Sequence, residues 1–72
     1  MEILKYFPKE INNLINVNIK NEELEKLEEI RIRNNLPIIL KIGQAEKILD
    51  YKIKTEEINY ILKKICENSK YT

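Results

Sequence analysis

The run Leu27-Glu28-Glu29-Ile30-Arg31-Ile32-Arg33-Asn34-Asn35-Leu36-Pro37-Ile38-Ile39-Leu40-Lys41-Ile42-Gly43 lies at the middle of the chain, and its periodicity organises the rest. From Glu29 the apolar repeat drops from about 3.6 residues to about 2, with Ile30 and Ile32 on one face and Arg31 and Arg33 on the other, which predicts a strand. Asn34 and Asn35 tolerate left-handed backbone better than other non-glycine residues and suit a tight reversal. Pro37 lacks an amide hydrogen, so it can open a strand but not occupy its middle; Ile38, Leu40 and Ile42 then alternate toward one side. Gly43-Gln44 supplies the next turn, and a third strand is predicted over residues 46–52. There Ile48 followed directly by Leu49 breaks the alternation and signals a bulge or a buried edge.

On the N-terminal side, Ile3, Leu4, Phe7, Ile11, Leu14 and Ile15 recur at helical spacing. Pro8 biases Phe7 away from α geometry, which predicts a short turn, a break, and a helix opened by Pro8. Asparagines at 12, 13, 16 and 18 weaken that helix toward its end. Asn21, with Glu22 and Glu23 behind it, reads as the cap of a short helix whose buried side is Leu24 and Leu27. On the C-terminal side Thr55 is the predicted cap of a long helix carrying Ile58, Ile61, Leu62, Ile65 and Cys66 on one stripe, with Lys63 and Lys64 late and Asn68 as its end. The fold class expected is α+β: helix, short helix, three-stranded antiparallel meander, and a C-terminal helix packed on one sheet face, in a single domain over residues 1–72.

Composition limits the chemistry. At 72 residues the chain buries only about 60% of the surface its unfolded form exposes, so its core is small. Thirteen basic against twelve acidic residues leave a charge of +1, too little for a whole-domain field toward nucleic acid or anionic lipid. With one glycine, the chain holds neither a Walker A loop nor a dinucleotide fingerprint, which need several backbone positions without a Cβ. There is no histidine, one cysteine and one serine, so histidine triads, zinc clusters and disulfide frameworks are excluded within these residues. The lone thiol and the absence of a secretory signal at residues 1–7 predict a cytoplasmic, reducing compartment.

Arginine occurs twice against eleven lysines, and both copies fall on one strand face. Arg31 and Arg33 thus offer planar, forked donors suited to a carboxylate or phosphate; the plainer reading is a solvated face paired with Lys41 and nearby acids. Arg31, Arg33 and Lys41 are the interface candidates, and no catalytic, cofactor or metal residue is expected. Glu28-Glu29 and Glu56-Glu57 read as helix-start acids, since neighbours in sequence point apart and make poor acid–base pairs. Cys66 reads as a small buried hydrophobe, and Tyr6, Tyr51, Tyr60 and Tyr71 as edge-of-core or interface residues. A core this small rarely supplies more than roughly 3–5 kcal/mol, so a partner surface is expected, and the Tyr71-Thr72 end reads as that of a piece of a longer polypeptide.

The Glu28-Glu29-Ile30-Arg31-Ile32-Arg33 strand resembles the N-terminal region of the stage III sporulation protein AA family. Members typically open with a Phe-Pro or Leu-Pro helix, as at Phe7-Pro8, and carry a Leu-Glu-Glu-Ile-Arg-Ile-Arg signature, here at residues 27–33. A proline-led strand follows, as from Pro37, and then a helix ending like Cys66-Glu67-Asn68-Ser69. Leu36 departs from the arginine that many members place before the proline. The Leu-Pro-Xaa-Xaa-Leu pattern with Gly43 is also similar to the N-terminal domains of type II and type IV pilus secretion ATPases. The resemblance implies a hexameric parent with a motor domain elsewhere on the polypeptide, using ATP and magnesium. It implies work in the mother-cell cytoplasm on the channel to the forespore, with the channel's membrane proteins as partners and no membrane span or nucleic acid of its own. This domain would then serve ring assembly and coupling, packed on the motor domain of the same or a neighbouring subunit. The rival class is a small nucleic-acid-binding α+β module, with Arg31, Arg33 and Lys41 on phosphates.

Overall fold

β2, residues Pro37–Ile42, is the central strand of a three-stranded antiparallel sheet, flanked by β1 (Leu27–Arg31) and β3 (Ala45–Lys52) in the order β1-β2-β3. This computed structural model describes residues 2–69, in which a 3₁₀ turn (Glu2–Tyr6), α1 (Lys9–Asn18) and α2 (Asn21–Glu25) precede the sheet and α3 (Thr55–Ser69) follows it. The α+β meander read from the sequence is the observed architecture. Both turns use the residues expected of them. Asn35 sits at φ 64°, with the Leu36 amide donating to the Arg33 carbonyl at 3.0 Å, and Gly43 sits at φ 59°.

Alternation along β2 sets the layers. Ile38, Leu40 and Ile42 are buried and join Phe7, Ile11 and Ile15 of the N-terminal segment, Leu49 and Ile53 of the third-strand region, and Ile61 of α3 in one core. The helices therefore cover one sheet face, and the other is left to solvent. Of the first apolar stripe Phe7, Ile11 and Ile15 are buried, Leu4 and Leu14 pack beside them, and Ile3 stays exposed. The Phe7-Pro8 break is held by Asn12, whose side-chain amide donates to the Leu4 carbonyl at 2.8 Å.

Several boundaries differ from the sequence reading, each for a local reason. Leu27 is the first residue of β1 and not the last apolar residue of α2; it pairs with Ile42, whereas Glu29 pairs with Lys41, so one extra residue is accommodated between them. That single bulge lets Leu27 and Ile30 both face the core although their spacing is odd. Glu28 and Glu29 thus belong to the bulged strand and are not helix-start acids. In β3 the shift comes in a pair: Ile39 faces Ile48 but Pro37 faces Lys52. An even insertion preserves parity, so Leu49 and Ile53 remain buried and Ile48 remains outside.

Both helices after the first begin in the same way. Lys20 and Lys54 hold the cap positions in Lys-Asn-Glu-Glu and Lys-Thr-Glu-Glu, and Glu23 and Glu57 reach back to accept the lysine amides at 2.8 and 2.9 Å. Asn21 and Thr55 are therefore first helical residues and not caps; the Thr55 hydroxyl instead donates to Asn34 Oδ1 at 2.6 Å. Pro8 likewise precedes α1 instead of opening it, and α3 passes Asn68 to reach Ser69. Along α3 the buried stripe is narrower than expected: Ile61 is buried with Ile58 and Ile65 beside it, whereas Leu62 is 54% exposed and Cys66 is exposed. The helix lies over a small sheet, so the flank carrying residues 62 and 66 extends past the core.

Candidate functional site

The outer sheet face is built from Glu29 and Arg31 of β1, which follow the bulge, the odd residues of β2 and the even residues of β3, an arrangement forced by the pairs Arg31–Ile39, Glu29–Lys41 and Ile39–Ile48. Two apolar doublets, Ile38-Ile39 and Ile48-Leu49, each place one large side chain in the core and the other outside. Ile48 of β3 is 67% exposed, Leu36 in the turn before β2 is 48% exposed, and Ile39 of the central strand is partly buried. Arg31, Arg33, Leu36, Pro37, Ile39 and Ile48 together line a shallow recess of about 380 Å³. Its floor is apolar and its rim is cationic.

The structure brings Arg31 and Arg33 together at this recess, in different states. Arg31 donates from Nε to Glu29 and lies 3.2 Å from Glu46 through a terminal guanidinium nitrogen. The hydrogen bond and charge of Arg31 hold the Glu29 carboxyl below the usual range, with Lys41 opposite adding to the effect, and Glu29 in turn raises Arg31. Arg33 follows the end of β1, and among the described residues its guanidinium makes no ion pair. Lys41 is set apart from the recess, across from Glu29. The arginines and the lysine thus do not form one cluster: Arg33 offers open donors, Arg31 is already engaged by carboxylates, and Lys41 stands at the far side of Glu29.

Sequence reasoning singled out the arginines but not the apolar floor. The signal was present in the doublets, since an alternating strand cannot bury two consecutive isoleucines on one side. Chemically the site is a recognition surface. Among the described residues no group of three or more His, Cys, Asp or Glu side chains is placed to hold a metal ion, and no helix is long and apolar enough to cross a membrane.

A second apolar feature lies at the β1 side of the inner layer. Ile3, Ile30, Ile32, Leu62 and Ile65 line a groove of about 350 Å³ whose outer lip is Glu28 and Glu29. Compared with protein-family models, with curated proteins and with solved structures, the chain matches none of them.

Proposed function

We propose that this chain is a docking and coupling domain, the N-terminal oligomerisation domain of a secretion-type ATPase that energises the mother cell to forespore channel during endospore formation. The observation that carries the docking part is the uncovered outer sheet face, where Ile48 and Leu36 stand exposed beside the guanidinium of Arg33, which makes no ion pair among the described residues. Covering one such aliphatic side chain is worth about 1.5–3 kcal/mol, comparable with the whole margin of a domain this size. The partner surface that fits is apolar with a carboxylate at its border, placed to accept both prongs of Arg33.

The motor part of the reading is supported by the resemblance at Phe7-Pro8, residues 27–33 and Cys66-Glu67-Asn68-Ser69. On it, ATP and magnesium bind to the motor domain of the parent, and this domain transmits the motor's movement by contact with the same or a neighbouring subunit. The parent works in the mother-cell cytoplasm and reaches the membrane through the channel's membrane proteins.

The test uses the polypeptide in which these residues occur together with any nucleotide-binding continuation. Ile48→Asp with Arg33→Ala is expected to abolish ring assembly in light scattering and to lower ATP turnover, with the domain's fold retained. Unchanged assembly and turnover would remove the outer face from the function. A continuation lacking a phosphate-cradling loop would remove the motor.

A further inference from the structure

We propose that two copies of this chain join edge to edge through β1, antiparallel and centred on Ile30, making one six-stranded sheet across a two-fold axis. The two edges of the sheet differ in how they are guarded. β3 carries the register shift between its pairs with Ile39 and Pro37, and the partly buried Lys47 points from it toward the inner layer, where its ammonium donates to the Asn18 carbonyl at the end of α1. A bulge and an inward charge are the devices by which sheets discourage edge pairing. β1 has its bulge only at its start, between Leu27 and Glu29, and beyond it presents Glu29, Ile30 and Arg31 in regular register. Among the described residues no second strand pairs with its outer edge: its strand neighbour is β2 alone, and no other backbone hydrogen bond reaches residues 27–31.

The charge order of β1 is complementary to itself. With Ile30 opposite Ile30 of the second copy, Glu29 of each chain stands opposite Arg31 of the other, on the outer face, and the isoleucines meet on the inner one. Opposite charges in directly facing pairs stabilise a sheet, and like charges there oppose pairing. Shifting the centre by half a pair would set Ile30 against Arg31 and mix the faces; shifting it by a whole pair, to Arg31, would set two guanidinium groups against each other. The Ile30 register alone avoids both. Beneath the joined strands the groove lined by Ile3, Ile30, Ile32, Leu62 and Ile65 continues into its counterpart, which covers Leu62, 54% exposed on the flank of α3 that extends past the core.

This proposal needs only the present chain and is independent of the motor assignment. The experiment is sedimentation equilibrium of the native chain over a concentration series, with Glu29→Arg and Arg31→Glu variants measured singly and mixed. The native chain is expected to dimerise. Each charge reversal alone sets like charges opposite each other and is expected to weaken association about tenfold or more. An equimolar mixture of the two variants restores both opposite-charge pairs and is expected to form a heterodimer of near-native affinity. Should either reversal disturb the fold, Leu62→Asp, at an exposed site in the same groove, weakens the dimer independently, and Val17→Asp, at an 84% exposed position of α1, leaves it intact. A native chain that stays monomeric at every concentration overturns the proposal and leaves the edge to a strand of another protein. A dimer insensitive to Glu29→Arg, or variants that fail to complement each other, overturns it equally.

Discussion

Ile38 and Ile39 are the same side chain at adjacent positions of one strand, and they have opposite fates. Ile38 is wholly buried among the helices, whereas Ile39 helps form the floor of an open recess with Ile48. The same division runs through Leu49 and Ile48 on the neighbouring strand. Hydrophobicity alone therefore does not assign a residue to the core here; strand parity does. One face of the sheet holds the fold together, and the other is available for contact.

The largest effect expected from breaking that division is on the inner face. Leu40→Ala removes a fully buried side chain and should cost about 2–5 kcal/mol, enough to unfold most of a domain with so small a core at room temperature. Urea denaturation of Leu49→Ala and Ile48→Ser sharpens the contrast within one dipeptide. The first should lose about 2–4 kcal/mol and the second should stay within about 0.5 kcal/mol of the native chain. Comparable losses at both positions would show that the outer face is packed and not free.

The division between faces depends on the turns, because a slip of one residue would exchange them. Gly43 has φ 59° with open space where a Cβ would point, so Gly43→Ala tests backbone strain without a clash. About 1–2 kcal/mol should be lost in thermal or urea unfolding, the cost of a left-handed alanine. At Asn35, with φ 64°, a glycine should be tolerated and an alanine should lose about 1 kcal/mol. Equal stability of the alanine and glycine variants at either turn would contradict the assigned geometry.

These residues also show how much of the molecule was legible beforehand. Turn chemistry at Asn35 and Gly43, the proline at the head of β2 and the alternation of Ile38, Leu40 and Ile42 are local signals, and they placed the meander correctly. The β1 bulge was not legible, because Leu27 is equally good as the last apolar residue of a helix or the first of a strand, and only its pairing with Ile42 decides. Leu62 and Cys66 were assigned to the core on helical spacing, which says which side of a helix is apolar but not how far the sheet beneath it extends. At the candidate site, the rarity of arginine drew attention to Arg31 and Arg33. What distinguishes them is the capture of Arg31 by Glu29, two residues before it on the same strand, and by Glu46 of β3, and the second of these is a relation across the sheet that no linear pattern displays.

The smallest effect expected concerns the tie between the sheet and α3. Tyr51, partly buried beside the core, donates its hydroxyl to Glu57 with contacts of 2.7 and 2.6 Å, while the same carboxylate accepts the Lys54 amide at the start of α3. The hydrogen bond to Glu57, then partial burial and the adjacent negative charges, push the Tyr51 phenol up to about 12. Its folded value lies above its unfolded one, so the stabilisation is complete below about pH 10 and is lost as the pH rises from 10 toward 12. Glu57→Gln keeps a side chain able to accept the lysine amide but removes the charge, and it should bring the Tyr51 titration back toward 10 in a spectroscopic titration of the tyrosines. The native chain should then lose more stability than the variant between pH 10 and 12, with contributions common to both cancelling in the difference. A Tyr51 titration unmoved by Glu57→Gln would mean that α3 is held to the sheet by its apolar stripe alone, and that the inner face needs no polar fastening to stay distinct from the outer one.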